Sequence, residues 1–176
     1  MIANVRLNRC WSTKLSSADD LVARDVAQHG WSCITIHDAE KTFAYTVGLV
    51  HTYQHPELII FGRLTDDSGI LDSLVMAIRD GSRIDEPREY DLLEGFPIAT
   101  RRVHETQHEL YFGFAMGFLT NIGRVGELKA VQIFVPDIHG VYPFQPDCSL
   151  PVYESQPRLD IGLTKSELAA WRRQWR

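Results

Sequence analysis

His104-Glu105-Thr106-Gln107-His108 satisfies H-E-x-x-H. On an α-helix that spacing sets two imidazoles one turn apart, so that His104 and His108 share a Zn²⁺ while Glu105 activates the metal-bound water. The chemistry would be hydrolysis of a peptide or amide, with zinc as cofactor and His51, His55 or His139 as the third ligand. The flanks argue otherwise. Arg101 and Arg102 precede His104 in what reads as a strand end, where a zinc-peptidase helix carries apolar packing residues, and no H-x-x-G-x-x-H extension follows. The favoured expectation is a polar strand-to-helix connection and no cofactor, with zinc as the alternative.

A second pair at the same spacing, His51 and His55, stands in Gly48-Leu-Val-His-Thr-Tyr-Gln-His-Pro56. Pro56 disfavours helix at His55, so a loop is expected, with the two imidazoles near Tyr53 and Glu57 in the manner of a general base. No G-x-G-x-x-G, Walker or G-x-S-x-G pattern occurs, which leaves nucleotide folds and the serine-hydrolase elbow unsupported. Arg101 and Arg102 with Arg83 and Arg88 suggest an anion pocket, and an exposed strand and loop is the favoured reading. The terminal Trp171-Arg-Arg-Gln-Trp175-Arg reads as a docked helix end. Cys10, Cys33 and Cys148 form neither a disulfide framework nor a zinc ribbon; Cys33, in a strand-like run, is expected to be an inert core thiol.

The frame that must position these groups is one globular domain, for 176 residues with 44% hydrophobic and 23% charged side chains are the size and mix of a single core. It is read as residues 1–176, with an N-terminal arm over 1–16, a core over 17–159 and a C-terminal helix over 160–176. A formal net charge of −5 argues against nucleic acid as a partner. No apolar run approaches the ~20 residues of a spanning helix, and the first ten residues lack the core of a secretory signal, so a soluble, cytoplasmic protein is expected.

Along the chain, Ser16 or Ser17 with Asp19 and Asp20 opens a helix that ends at His29-Gly30, with Gly30 as left-handed cap. Trp31 to His37 and Thr42 to Leu49 form a hairpin, and Pro56 to Gly62 a central strand. Asp66, Asp67 or Ser68 caps a helix with Ile70, Leu71, Leu74, Val75 and Ile78 on one face, ending at Asp80-Gly81. Ile98 to Val103 returns as a strand, His108 to Thr120 makes a third helix, and Gly126 to Val135 is again strand-like. Pro136 to Gly140 turns the chain, and Thr164-Lys-Ser-Glu167 is a capping box before a last helix. The reading is α+β: a largely antiparallel sheet of about five to six strands flanked by three to four helices.

Taken together, His29-Gly-Trp31, Ala44-Tyr-Thr-Val-Gly-Leu49, Pro56-Glu-Leu58, Pro136-Asp137 with Gly140 and Pro143, and Gln156-Pro157 resemble a bacterial family of unknown function with HGW, AYTVGL, PEL and PDxxG blocks in that order, over about residues 17 to 159. The resemblance implies a compact intracellular domain and no substrate; family members do not usually carry H-E-x-x-H at this place. It singles out His29, Tyr45, Thr46, Glu57, Asp137 and Gln156 as polar residues that a mere core would not demand. Several have structural readings: Tyr45 and Thr46 suit a strand, His29 a helix C-terminus, and Asp137 its own turn. Glu57 begins an apolar strand and needs a partner, with His29, Tyr45 or an arginine available.

Two expectations about function follow. The first is a protein-binding module, of immunity or defence type, that blocks a partner through an acidic face. The second is an enzyme: a zinc hydrolase through His104, Glu105 and His108, or a metal-free one with Glu57, His29 and Tyr45 in catalysis and Thr46, Asp137 and Gln156 in binding. The oligomeric state is left open.

Overall fold

The computed structural model describes residues 3–4, 17–37, 42–62, 69–85, 87–91 and 97–174. Its frame is one seven-stranded sheet of order β1-β2-β3-β4-β7-β6-β5, built from β1 (Ala3–Asn4), β2 (Ser32–His37), β3 (Thr42–Val47), β4 (Glu57–Phe61), β5 (Glu89–Tyr90), β6 (Ile98–Arg102) and β7 (Ala130–Phe134). Four of the six pairings are antiparallel; β1 with β2 and β4 with β7 are parallel. The sheet is thus larger than the sequence reading, by the two-residue edge strands β1 and β5, which are too short to leave a period.

β4 reads Glu-Leu-Ile-Ile-Phe and is buried along its whole length, as a strand covered on both faces must be. The alternation of its side chains separates two cores. Ile59 and Phe61 join Phe43, Tyr45 and Val47 of β3 beneath α1 (Ser17–His29), α4 (His108–Tyr111) and α5 (Gly113–Asn121), while Leu58 and Ile60 meet α3 (Ile70–Arg79) on the opposite face. The five apolar residues expected on α3 are the five that it buries, each contributing roughly 1.5–3 kcal/mol relative to exposure. Its expected caps Asp66, Asp67 and Ser68 lie outside the described residues, as do the arm over 5–16 and Cys10.

Two elements depart from expectation. The stretch read as one helix from His108 to Thr120 is broken at Phe112 (φ −120°, ψ 34°). At the break, Tyr111 packs edge-on against Phe43 and Phe61, and Phe112 against Tyr45. Residues 49–52, read as loop, form α2 (Leu49–Thr52). The capping box is as expected: the Thr164 N–H donates to Glu167 and the Glu167 N–H to Thr164 Oγ1, opening α7 (Lys165–Gln174) after a short α6 (Leu150–Ser155).

The join between α1, β2, β3 and α2 is the tightest part of the frame. Gly30 (φ 85°) caps α1 and Gly48 (φ 110°) precedes α2, and a Cβ on Gly48 would stand 2.9 Å from Val26 Cγ2 and 3.0 Å from the Gly30 carbonyl oxygen. Gly81 shares the left-handed backbone (φ 100°) but faces open space. Gly48→Ala therefore carries a steric cost on top of the conformational one, and is expected to lose about 1–3 kcal/mol more stability in urea titration than Gly81→Ala. Equal losses would mean that the join is slack.

Candidate functional site

Glu57 is the first residue of β4 and is 1% exposed. Its Oε1 accepts the N–H groups of Gly48 (2.9 Å) and Val50 (3.1 Å), and its Oε2 accepts the Thr46 hydroxyl (2.7 Å), which in turn accepts the Leu58 N–H (2.9 Å). Both carboxylate oxygens are thus occupied by donors of the chain, and they satisfy the amides that the start of α2 leaves over. Burial pushes the Glu57 carboxyl up to about 7, against the opposing pull of Thr46, Val50 and Gly48.

The proposed partners of Glu57 lie elsewhere. Tyr45 is close enough for the carboxylate's charge to reach it, yet its hydroxyl accepts the Phe114 N–H at the start of α5 (3.3 Å), and burial holds the phenol protonated. His29 is exposed at the end of α1. The three do not converge on one reacting atom.

The remaining polar residues of the family blocks are spent in the same manner. Asp137 Oδ1 accepts the N–H groups of His139 and Val141, and its Oδ2 accepts that of Ser149; these donors hold its carboxyl down at about 2. The Gln156 amide accepts from Val135 N–H and donates to Val135 C=O, both at 2.9 Å, as one more rung beyond β7. Sequence reasoning overlooked two further residues of this kind. Gln132 donates to Pro157 C=O and accepts Leu159 N–H, and Gln107 donates to Ile161 C=O. His55, expected in a ligand or general-base role, is 1% exposed and accepts Ile84 N–H through Nε2 while Nδ1 meets Pro56 C=O. Burial holds the His55 pKa down. A glutamine in an apolar strand, as in Val131-Gln132-Ile133, was the available signal.

The histidine pairs are also divided. His51 lies in α2 with its ring edge-on to Phe118, whereas His55 lies beyond it, because Gln54 (φ 52°) and Pro56 end the helix. His104 is not on a helix with His108: it is the N-cap of a 3₁₀ turn (Glu105–Gln107), with Nδ1 accepting the Thr106 N–H, and His108 starts α4. Among the described residues no group of three or more His, Cys, Asp or Glu is placed to hold a metal ion. His108 Nε2 is buried without a hydrogen-bond partner among the described residues. Three of the four arginines of the expected anion pocket have separate partners: Arg83 pairs with Asp85, Arg88 covers Tyr90, and Arg101 covers Phe144.

What remains open is a cleft of about 610 Å³ at the start of β2, where β1 covers only Ile34 and Thr35. It is lined by Ser32 and Cys33 of β2, Asp25 and His29 of α1, Asp72 and Arg79 of α3, and Trp31 and Tyr53. Burial pushes the Cys33 thiol up to about 11, so it is no nucleophile at neutral pH. His29 and Trp31 of the HGW block therefore line this cleft.

Because the Glu57 carboxyl titrates higher folded than unfolded, where the ordinary value is 4.5, its contribution to stability is full below pH 4.5 and is lost as pH rises through about 7. Glu57→Gln is expected to remove that slope in thermal melts between pH 4.5 and 8. Glu57→Ala orphans two amides and a hydroxyl and is expected to cost about 3 kcal/mol or more. An unchanged slope in Glu57→Gln would assign the titration to another group.

No curated protein and no solved structure matches the chain. Residues 25–149 do match a family described as a domain of unknown function (DUF4262), and that span holds HGW, AYTVGL, PEL and the Asp137 turn. With most of its length in that match, the chain belongs to the DUF4262 family.

Proposed function

We propose that this protein is a non-catalytic binding module that holds a protein partner at the cleft between α1 and α3. The observation that carries this is the make-up of the cleft and its rim. Met76 lies on α3 between Asp72 and Arg79, at the i, i+4, i+7 spacing of one helical stripe, and is 62% exposed. Together with Trp31, Tyr53 and Arg79 it supplies the residue types enriched in protein interfaces. The buried carboxylate of the family blocks is sealed from substrate by its own hydrogen bonds, which favours binding over acid–base chemistry.

A net charge of −5 favours a basic partner, and an immunity-type role, in which an acidic domain covers a basic one, belongs to the same reading. So does a cytoplasmic location, in keeping with the unpaired thiols of Cys33 and Cys148. Among the described residues no helix is long and apolar enough to cross a membrane.

Met76 and Arg79 are exposed and outside both cores, so Met76→Asp with Arg79→Glu is expected to leave the thermal midpoint nearly unchanged. The partner that wild-type protein captures by cross-linking in its source cells is expected to be lost from this variant. A partner retained at equal yield would overturn the cleft as the interface. Protein purified without chelator is expected to carry the same metal content as a His104→Ala, His108→Ala variant. About one zinc per chain, absent from the variant, would instead make a metallohydrolase the working reading.

A further inference from the structure

We propose that Arg101, stacked on Phe144 beside Arg158, anchors a site for a small oxyanion, either a carboxylate or a phosphate group. This site stands apart from the cleft and does not depend on it.

Arg101 lies in β6 opposite Gln132 of β7, on the same side of the sheet as Ala99 and Phe134. That side is covered here by the chain that follows β7. Phe144 is held there by two rings: Tyr142 stacks on it at 5.3 Å with 2° between the planes, and Phe134 meets it edge-on at 5.4 Å. The Arg101 Cζ stands 4.1 Å from the centre of this ring. The Arg158 Cζ stands 5.9 Å from the same centre.

The two guanidinium groups differ in what neutralises them. Arg158 donates through Nε and Nη2 to the two oxygens of Asp160, both at 2.6 Å. Arg101 is half-buried and has no hydrogen bond or ion pair among the described residues. A guanidinium carries five N–H donors in a fixed planar fork that matches two oxygens of one anion. Nη1 of Arg158 takes no part in the Asp160 pair and is a second donor at the same ring. One aromatic platform thus holds a guanidinium with no carboxylate partner among the described residues next to a second with a donor to spare, which is the donor set of an oxyanion site.

The test is a titration of the full chain with inorganic phosphate and, separately, with acetate at constant ionic strength, followed by the Arg101 Nε–Hε NMR resonance. A saturable shift is expected, weakened about tenfold or more in Arg101→Lys, which keeps the charge but loses the fork, and unchanged in Arg102→Lys, which alternates to the other face of β6. Saturation with phosphate alone supports the site as one for a phosphate-bearing ligand; saturation with acetate, alone or with phosphate, supports a carboxylate. No saturation with either anion, or equal affinity in Arg101→Lys, overturns the proposal. Should Arg101→Lys not fold, the wild-type resonance decides: an Arg101 Nε–Hε signal that stays still while other arginine signals move also overturns it.

Discussion

A carboxylate with no access to water organises this fold. Glu57 joins the end of β3, the start of α2 and the start of β4 through four groups of one small region: the Gly48 and Val50 amides, the Thr46 hydroxyl and, through that hydroxyl, the Leu58 amide. Removing any member leaves buried donors without acceptors. The approach of Gly48 to Val26 and to the Gly30 carbonyl follows from this arrangement, since α2 must begin against the end of α1. The AYTVGL and PEL blocks are two halves of one hydrogen-bonded unit, and HGW packs against it through Gly30.

The same device recurs wherever the chain leaves the sheet. Asp137 gathers three amides of the turn after β7 and of the approach to α6; Gln156 adds a rung to Val135; Gln132 ties residues 157 and 159 to the centre of β7; His55 holds the Ile84 amide. Irregular chain cannot satisfy its own backbone groups by a ladder, so buried side chains do it instead. This gives the polar residues of the AYTVGL, PEL and PDxxG blocks a duty within the fold itself.

The groups without such duties are then the informative ones. Two places stand out: the cleft lined by His29, Trp31, Tyr53, Asp72 and Arg79 beside the exposed Met76, and the platform where Arg101 lies over Phe144. Both combine aromatic surface with charge that nothing in the described chain neutralises in full, which is the composition of surfaces that bind.

Much of the frame was legible in the sequence because its causes are local. The stripe Ile70, Leu71, Leu74, Val75, Ile78 specifies α3, the uninterrupted apolar run of β4 specifies a strand buried on both faces, and Thr164 with Glu167 specifies a helix start, each by interactions within a few residues. The position of Phe112 shows the limit: helical periodicity continues through it in the sequence, whereas in the fold the helix breaks there, with Tyr111 against Phe43 and Phe61 and Phe112 against Tyr45. The site was less legible. Glu57 was recognisable as a carboxylate in need of partners, but not that the partners are amides, because backbone groups carry no signature in sequence. The split of His104 from His108, and the meeting of Arg101 with Arg158, depend on where segments up to about sixty residues apart come to rest. Local spacing determines which elements form; only register and packing between distant segments decide which polar groups are consumed inside the fold and which are left facing outward.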